Sequence, residues 1–450
     1  MKVATKSTAG DLFSKAKTAE LKQRLLFLLI AIIVFRFGSH LTIPGISPTA
    51  FASKFKDMSN GSGGFLDMID AFGGGSLKRF SVFALGIMPY ISSSIIIQLM
   101  TKVVPSLEQL SKEGEAGKRK ITQYTRYGTV LLGVFQSVGI CTALYATYGD
   151  VQGQNVFFID KYQFIFIGTV TLVTGTLFLM WLGEQITERG IGNGISMLIF
   201  AGIVSGFHDA FVSIRKNQDI SSISVLILLI LVVAVMAAIV FVERGQRRIT
   251  VSYARGQNGQ KQTSHLPFKL NMAGVIPPIF ASAIVMFPNT IASFAGEGTW
   301  LQSMTQYIAH GEPLYIILFS AGVIFFCFFY TALVFNANET ADNLKKSGAY
   351  IPGIRPGKQT AKYIDAILTR LTMAGAIYIT LVCLMPEFIR MQWKGVSFNF
   401  SGTSLLIVVV VIMDFMAQVQ AHLMSHHYDK ILDKTNLKRK GNKSAVVKKK

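Results

Sequence analysis

Asn60-Gly61-Ser62-Gly63-Gly64-Phe65-Leu66-Asp67-Met68-Ile69-Asp70-Ala71-Phe72-Gly73-Gly74-Gly75 is followed by an apolar run from Phe80 to Met100, and the chain thus meets lipid in two unequal pieces. Phe65, Met68, Ile69 and Phe72 recur at i, i+3, i+4 and i+7, one face of a helix, and Asp67 and Asp70 fall on the other. Eight helical residues cover only about 12 Å, against roughly 30 Å of hydrocarbon. This piece cannot span a membrane, and the glycines on either side make hinges of its ends. The second piece, at about 31 Å as a helix, is long enough to cross. Pro89 inside it removes a backbone hydrogen bond, a defect that protein neighbours rather than lipid must satisfy. The pair predicts a moving half-helix beside a cavity.

The chain of 450 residues is 51% hydrophobic and 15% charged, the composition of an integral membrane protein. Apolar runs predict ten spans, at about 21–41, 77–100, 124–145, 157–182, 191–207, 223–242, 270–294, 313–335, 367–388 and 403–424. The basic residues before the first run and the small residues at Ala50-Phe51-Ala52 resemble a signal peptide, but Arg36, Pro44 and Pro48 separate run from cleavage site and favour a retained helix. An even number of spans puts both termini on one side. Lys and Arg concentrate in the N-terminal segment, in the loops after the second, sixth and eighth spans and in the tail, which makes that side cytoplasmic.

Two of the basic loops are too long for turns. Residues 243–269 hold Arg244, Arg247, Arg248, Arg255, Lys261 and Lys269, and residues 336–365 hold Lys345, Lys346, Arg355, Lys358 and Lys362. Long basic loops on the cytoplasmic face suit docking to an acidic protein, ribosomal RNA or anionic lipid. Divided at 208–222, the spans form two halves of five, and an odd number per half forces opposite orientations, the inverted-repeat arrangement with a pathway between halves. The domains so defined are a cytoplasmic segment 1–20, a first half 21–207, an external connection 208–222, a second half 223–424 carrying both loops, and a basic tail 425–450.

The residues also exclude classes of chemistry. Gly117-Lys118 is followed by Arg119 and Gly357-Lys358 by Gln359, so no phosphate-binding loop is present. Gly190-Ile191-Gly192-Asn193-Gly194 lacks the spacing of a dinucleotide loop and reads as a bend at a helix entry. No Gly-x-Ser-x-Gly elbow occurs. Cys141, Cys327 and Cys383 lie in apolar runs as small buried hydrophobes, and His422 and His426 lack a third ligand at metal spacing. No cofactor, metal or enzymatic activity is expected. Arg36 and Asp414, ionisable residues within spans, leave open a proton-coupled transporter of a small solute as the rival reading, although pairing of Asp414 near the cytoplasmic end explains it as well.

Three segments carry a resemblance that reaches across nearly the whole chain: Phe83 to Ser92 (FALGIMPYIS), Gly183 to Ser196 (GEQITERGIGNGIS) and Gly353 to Gly357 (GIRPG). They resemble the SecY family, the channel-forming subunits of the bacterial protein-translocation machinery. The resemblance implies an all-α polytopic fold of ten transmembrane helices in two pseudo-symmetric inverted halves. It implies a short plug half-helix carrying Gly64, Phe65, Leu66, Met68, Ile69 and Phe72, and a mid-membrane pore ring of Ile87, Ile91, Ile199, Ile279 and Ile407. It implies a lateral gate with polar contacts at Ser92, Gln136 and Asn271, and docking of a motor or ribosome at Arg355 with Arg247 and Arg248 in support. The function implied is passage of unfolded secretory chains across, and release of hydrophobic segments into, the inner (cytoplasmic) membrane. Implied partners are SecE-like and SecG-like membrane subunits, a SecA-like ATPase, the ribosome, signal peptides and nascent chains, and membrane lipid, with no sequence-specific nucleic acid. At the tip of the first docking loop this chain has Gln260-Lys261, where related proteins often carry paired arginines.

Overall fold

The computed structural model describes residues 9–52, 70, 73–148, 156–216, 222–253, 263–292, 312–392 and 402–447. The elements in chain order are α1 (Ala9–Gly38), α2 (Met88–Val103), α3 (Pro105–Lys112), α4 (Glu115–Tyr148), α5 (Lys161–Arg189), α6 (Gly194–Lys216), α7 (Ser222–Glu243), β1 (Gln246–Tyr253), β2 (Thr263–Lys269), α8 (Ile276–Ala292), α9 (Pro313–Val334), α10 (Ala337–Lys346), β3 (Ala349–Tyr350), α11 (Lys358–Gln392) and α12 (Gly402–Val447). Each of the ten expected spans falls on a helix, the second only in its later part. Among the described residues five helices are by themselves long and apolar enough to cross a membrane, and α2 with α3, bent by 99° at the Pro105 break, forms a sixth candidate.

The second span departs from expectation. Helix α2 begins at Met88, so Pro89 stands in its first turn, where the missing N–H costs nothing, rather than interrupting a longer helix. Sixteen residues make only about 24 Å. Residues 74–87 run instead as turns, with Phe80 at φ 44° and Gly86 at φ 56°. Their backbone is satisfied by the segment after α1: Ile43 N–H donates to Phe80 O at 3.1 Å and Val82 N–H to Leu41 O at 2.8 Å. Gly175 on α5 lets this stretch sit close, since a Cβ there would collide with the Val82 carbonyl. Leu77, Phe80, Ala84 and Leu85 bury with Ile43, Phe51 and Phe164 in one apolar cluster. Non-helical backbone is thus buried in protein, the condition for its survival at membrane depth.

The two long basic loops are not independent either. β1 pairs antiparallel with β2, Ile249 opposite Leu266, and β3 from the second loop pairs with the other edge of β1, Ser252 opposite Tyr350, in the order β2-β1-β3. Alternation in Arg248-Ile249-Thr250-Val251 turns Ile249 and Val251 inward, onto Phe268, Ile351, Ile364 and Leu368. One small sheet therefore carries residues of both loops.

Candidate functional site

Four helices converge where the two runs of five spans meet. Ile87 caps the start of α2 and Ile91 lies one turn on; α6 contributes Ile199, α8 Ile279 and α12 Ile407. Ile87, Ile199 and Ile407 are buried, Ile91 and Ile279 half-buried, and all five belong to one hydrophobic cluster with Leu179, Met197, Ile203 and Val411. Nothing in the spacing of residues from 87 to 407 predicts this meeting; tertiary packing makes it.

The turn into α6 is built by Gly190 to Asn193. Gly192 adopts φ 91°, Thr187 Oγ1 accepts from the Gly194 N–H at 2.8 Å and Asn193 Oδ1 accepts from the Ile195 N–H at 3.1 Å. These satisfy donors that a helix start leaves open. The bend opens onto a cavity of about 890 Å³ whose lining includes Tyr90, Ile191 and Ile195 together with Arg24, Lys118, Arg119, Glu184, Glu188 and His422. Arg126 Nη2 and Nε meet the two Glu184 carboxylate oxygens at 2.7 and 3.1 Å, and Arg24 Nη1 donates to Gly190 O at 3.4 Å. Charges of both signs line this space together with the aliphatic groups of Ile191 and Ile195. Among the described residues no group of three His, Cys, Asp or Glu side chains could hold a metal.

The expected plug residues Gly64, Phe65, Leu66, Met68, Ile69 and Phe72 lie outside the described residues, as does Gln260-Lys261 at the loop tip. The end of the plug segment is described. Asp70, expected on a polar face, is 3% exposed. The turn after it folds the chain back, so that Asp70 Oδ1 accepts from the N–H groups of Leu77 and Lys78 at 2.9 and 3.0 Å and Oδ2 meets Lys78 Nζ at 3.2 Å. Burial pushes this carboxyl above its ordinary value, and Lys78 and the backbone donors act in the opposite direction. Beside it the Gly74 carbonyl, at a residue with φ 69°, accepts from Arg36 Nη1 at 2.9 Å and from Ser205 Oγ at 3.2 Å.

Helix α2 meets α8 through apolar groups. Ile95, Phe280 and Ala281 are buried together, with Ile91, Leu99, Val275 and Ile276 packed against them. Toward α4 the contact is polar, Ser93 Oγ donating to Thr125 O at 2.7 Å. Ser92 and Gln136 are half-buried, and among the described residues no hydrogen bond joins them to Asn271. Asn271 Nδ2 donates instead to Glu243 Oε1 at 2.7 Å and to Gly274 O at 3.1 Å, while its Oδ1 accepts from the Gly274 N–H at 2.9 Å. The amide sits 4% exposed just before α8, with both its donor hydrogens and one lone pair of its oxygen engaged by Glu243 and Gly274 rather than by Ser92 or Gln136. Glu243, a partner that sequence reasoning missed, is the last residue of α7 and is buried.

Arg247, Arg248 and Arg355 are exposed, the first two on β1 and the third shortly after β3. Asp414 is exposed and lies 3.8 Å from Lys269, and the three cysteines are buried and free.

A family model described as SecY matches residues 81–416. The protein translocase subunit SecY of Vibrio cholerae is 56% identical over 444 residues, covering 95% of this chain and 98% of the relative. Among solved structures, one concerning the plug domain of SecY, its closed state and its membrane seal superposes with a TM-score of 0.64 at 15% identity over 95% of both chains. Sec61 in the canine ribosome-channel complex superposes with a TM-score of 0.59 at 15% identity, again over 95% of both.

Proposed function

This chain belongs to the SecY family and is a multi-pass, protein-conducting translocation channel of the bacterial membrane rather than an enzyme, and from that premise we propose how its residues divide the work. Ile87, Ile91, Ile199, Ile279 and Ile407 form the pore ring. The observation that carries this assignment is their convergence, from four helices drawn from both runs of five spans, on one apolar cluster. A narrow aliphatic collar dewets and so raises a barrier to ions, while its side chains can rotate aside for an extended polypeptide. The mixed charges of the cavity at Arg126, Glu184 and Glu188 favour neither acidic nor basic chains on entry.

The segment Gly64 to Phe72 acts as the plug, hinged at Gly74 and held at its end by Asp70. The lateral gate lies between α2 and α8, and its resting contact is chiefly the apolar one around Ile95 and Phe280, with Ser92, Gln136 and Asn271 at its polar edge. An apolar signal helix offers the same kind of contact and can replace it. The sheet is the docking body, with Arg355, Arg247 and Arg248 as its contacts for a SecA-like ATPase or the ribosome. SecE-like and SecG-like subunits complete the assembly, both termini face the cytoplasm, and the halves 21–207 and 223–424 move relative to each other about 208–222. The transporter alternative draws no support: Asp414 faces outward toward Lys269 and Arg36 is engaged with Gly74.

The test is to arrest a precursor midway in membranes containing this chain, with single cysteines at the five ring positions. Crosslinks to the arrested chain at all five are expected; reaction with lipid alone would end the ring assignment.

A further inference from the structure

The passage from sheet to gate helix is short and enclosed. β2 ends at Lys269, and the base of its hairpin is closed by the Leu270 N–H donating to Gly245 O at 3.0 Å. The next residue, Asn271, is bound to Glu243 at 2.7 Å and turns through Gly274, at φ 65°, into α8 at Ile276. On the far side α11 brings Gly375 against this turn, so close that a Cβ there would stand 3.0 Å from the Leu270 carbonyl oxygen and 3.6 Å from Asn271 Cα. The turn is therefore gripped by the end of α7, the foot of the sheet and the face of α11. Three residues further on, α8 carries Ile279 and Phe280, which pack toward α2.

A buried carboxylate is expensive unless its partners are fixed, and here the Glu243–Asn271 bond ties the end of α7 to the entry of α8, one residue beyond the Leu270–Gly245 backbone bond that closes the β1–β2 hairpin. We propose that the Glu243–Asn271 contact is the strut through which a load on the cytoplasmic sheet reaches α8, making Glu243 a positioning residue for gate opening. Pushing on Arg247 or Arg248 moves β1, and β1 begins three residues after Glu243. With the strut intact, the start of α8 follows the sheet. Without it, Gly274 absorbs the motion in its own backbone. The exposed Lys269–Asp414 pair, at 3.8 Å, is too wet to take over that role. The proposal rests on the reading of the sheet as docking body and of α2 and α8 as the gate.

The experiment uses the full chain in membranes with its partner subunits, the three native cysteines replaced by alanine, and new cysteines at Ile95 and Phe280 for a short bis-maleimide. In this parent, a SecA-like ATPase held on a nonhydrolysable ATP analogue is expected to lower crosslinking several-fold. Glu243→Ala is expected to bind the motor as tightly as the parent yet lose the drop, and Glu243→Gln, whose amide oxygen still accepts from Asn271, to restore it. Gly375→Ala, which presses on the same turn without touching Glu243, serves as an independent variant and is expected to weaken the response in part. A purely structural role would instead reduce abundance or motor affinity. Equal drops in the parent, Glu243→Ala and Gly375→Ala overturn the strut alone. A parent indifferent to the motor overturns the docking and gate reading, and the strut with it.

Discussion

Ile407→Ala is the substitution that presses hardest on the collar. Ile407 is 1% exposed and belongs to the cluster in which the five isoleucines meet. Alanine deletes three carbons, about 2.4 kcal/mol of burial at ~0.8 kcal/mol each, and unfilled space brings such truncations to about 2–5 kcal/mol in all. Only the part lost on opening alters conductance. If the open collar gives up the whole burial term, the closed-to-open ratio moves about fiftyfold at ~1.4 kcal/mol per decade; if it gives up half, about sevenfold. Ion leak through purified channel in planar bilayers should therefore rise within that range. Ile412→Ala, on the same helix but 45% exposed, supplies the comparison and should leave leak unchanged. Equal leak in the two variants would refute the collar, because removing buried and exposed aliphatic groups would then be equivalent.

Two further perturbations probe the edges of the site. Arg355→Glu reverses an exposed charge beside the sheet and should change thermal stability by less than about 0.5 kcal/mol; motor binding and precursor export should nevertheless collapse together, and undiminished export would remove Arg355 from the docking surface. Burial holds Asp70 above the ordinary carboxylate value of 3.8. The folded chain therefore binds that proton more tightly than the unfolded one, and stability is lost as pH rises from the ordinary value through the raised one. Lys78→Met, lacking the opposing charge, should steepen that loss and extend it to higher pH, whereas Asp70→Asn should abolish it. Identical pH profiles for parent and Asp70→Asn, followed by thermal unfolding in detergent, would contradict this account.

Much of the architecture is legible in one dimension because lipid allows so few solutions. A segment surrounded by hydrocarbon must satisfy its backbone internally, so the runs around 161–182 and 313–334 are helices whatever their neighbours. Pro89 carries a local signal of the same kind, since proline favours the first turn of a helix and here marks the start of α2 at Met88. The alternation from Arg248 to Val251 announces a strand in the same way.

Other features depend on partners far away in the chain, which no local pattern carries. Helical-face arithmetic set Asp70 on a polar side, but the reversal after Gly74 brings two backbone donors and Lys78 onto its carboxylate, and a buried acid is the result. Residue spacing could not say that Asn271 is bound to Glu243, nor that Ser252 finds Tyr350, 98 residues on, and ties both basic loops into one body. Where the chain crosses lipid follows from the residues of each segment alone, since transfer of a segment from water is a local free energy. Which crossings touch does not: whether five isoleucines share one core rests on shape complementarity among four helices, a property of the assembled packing and of no single segment.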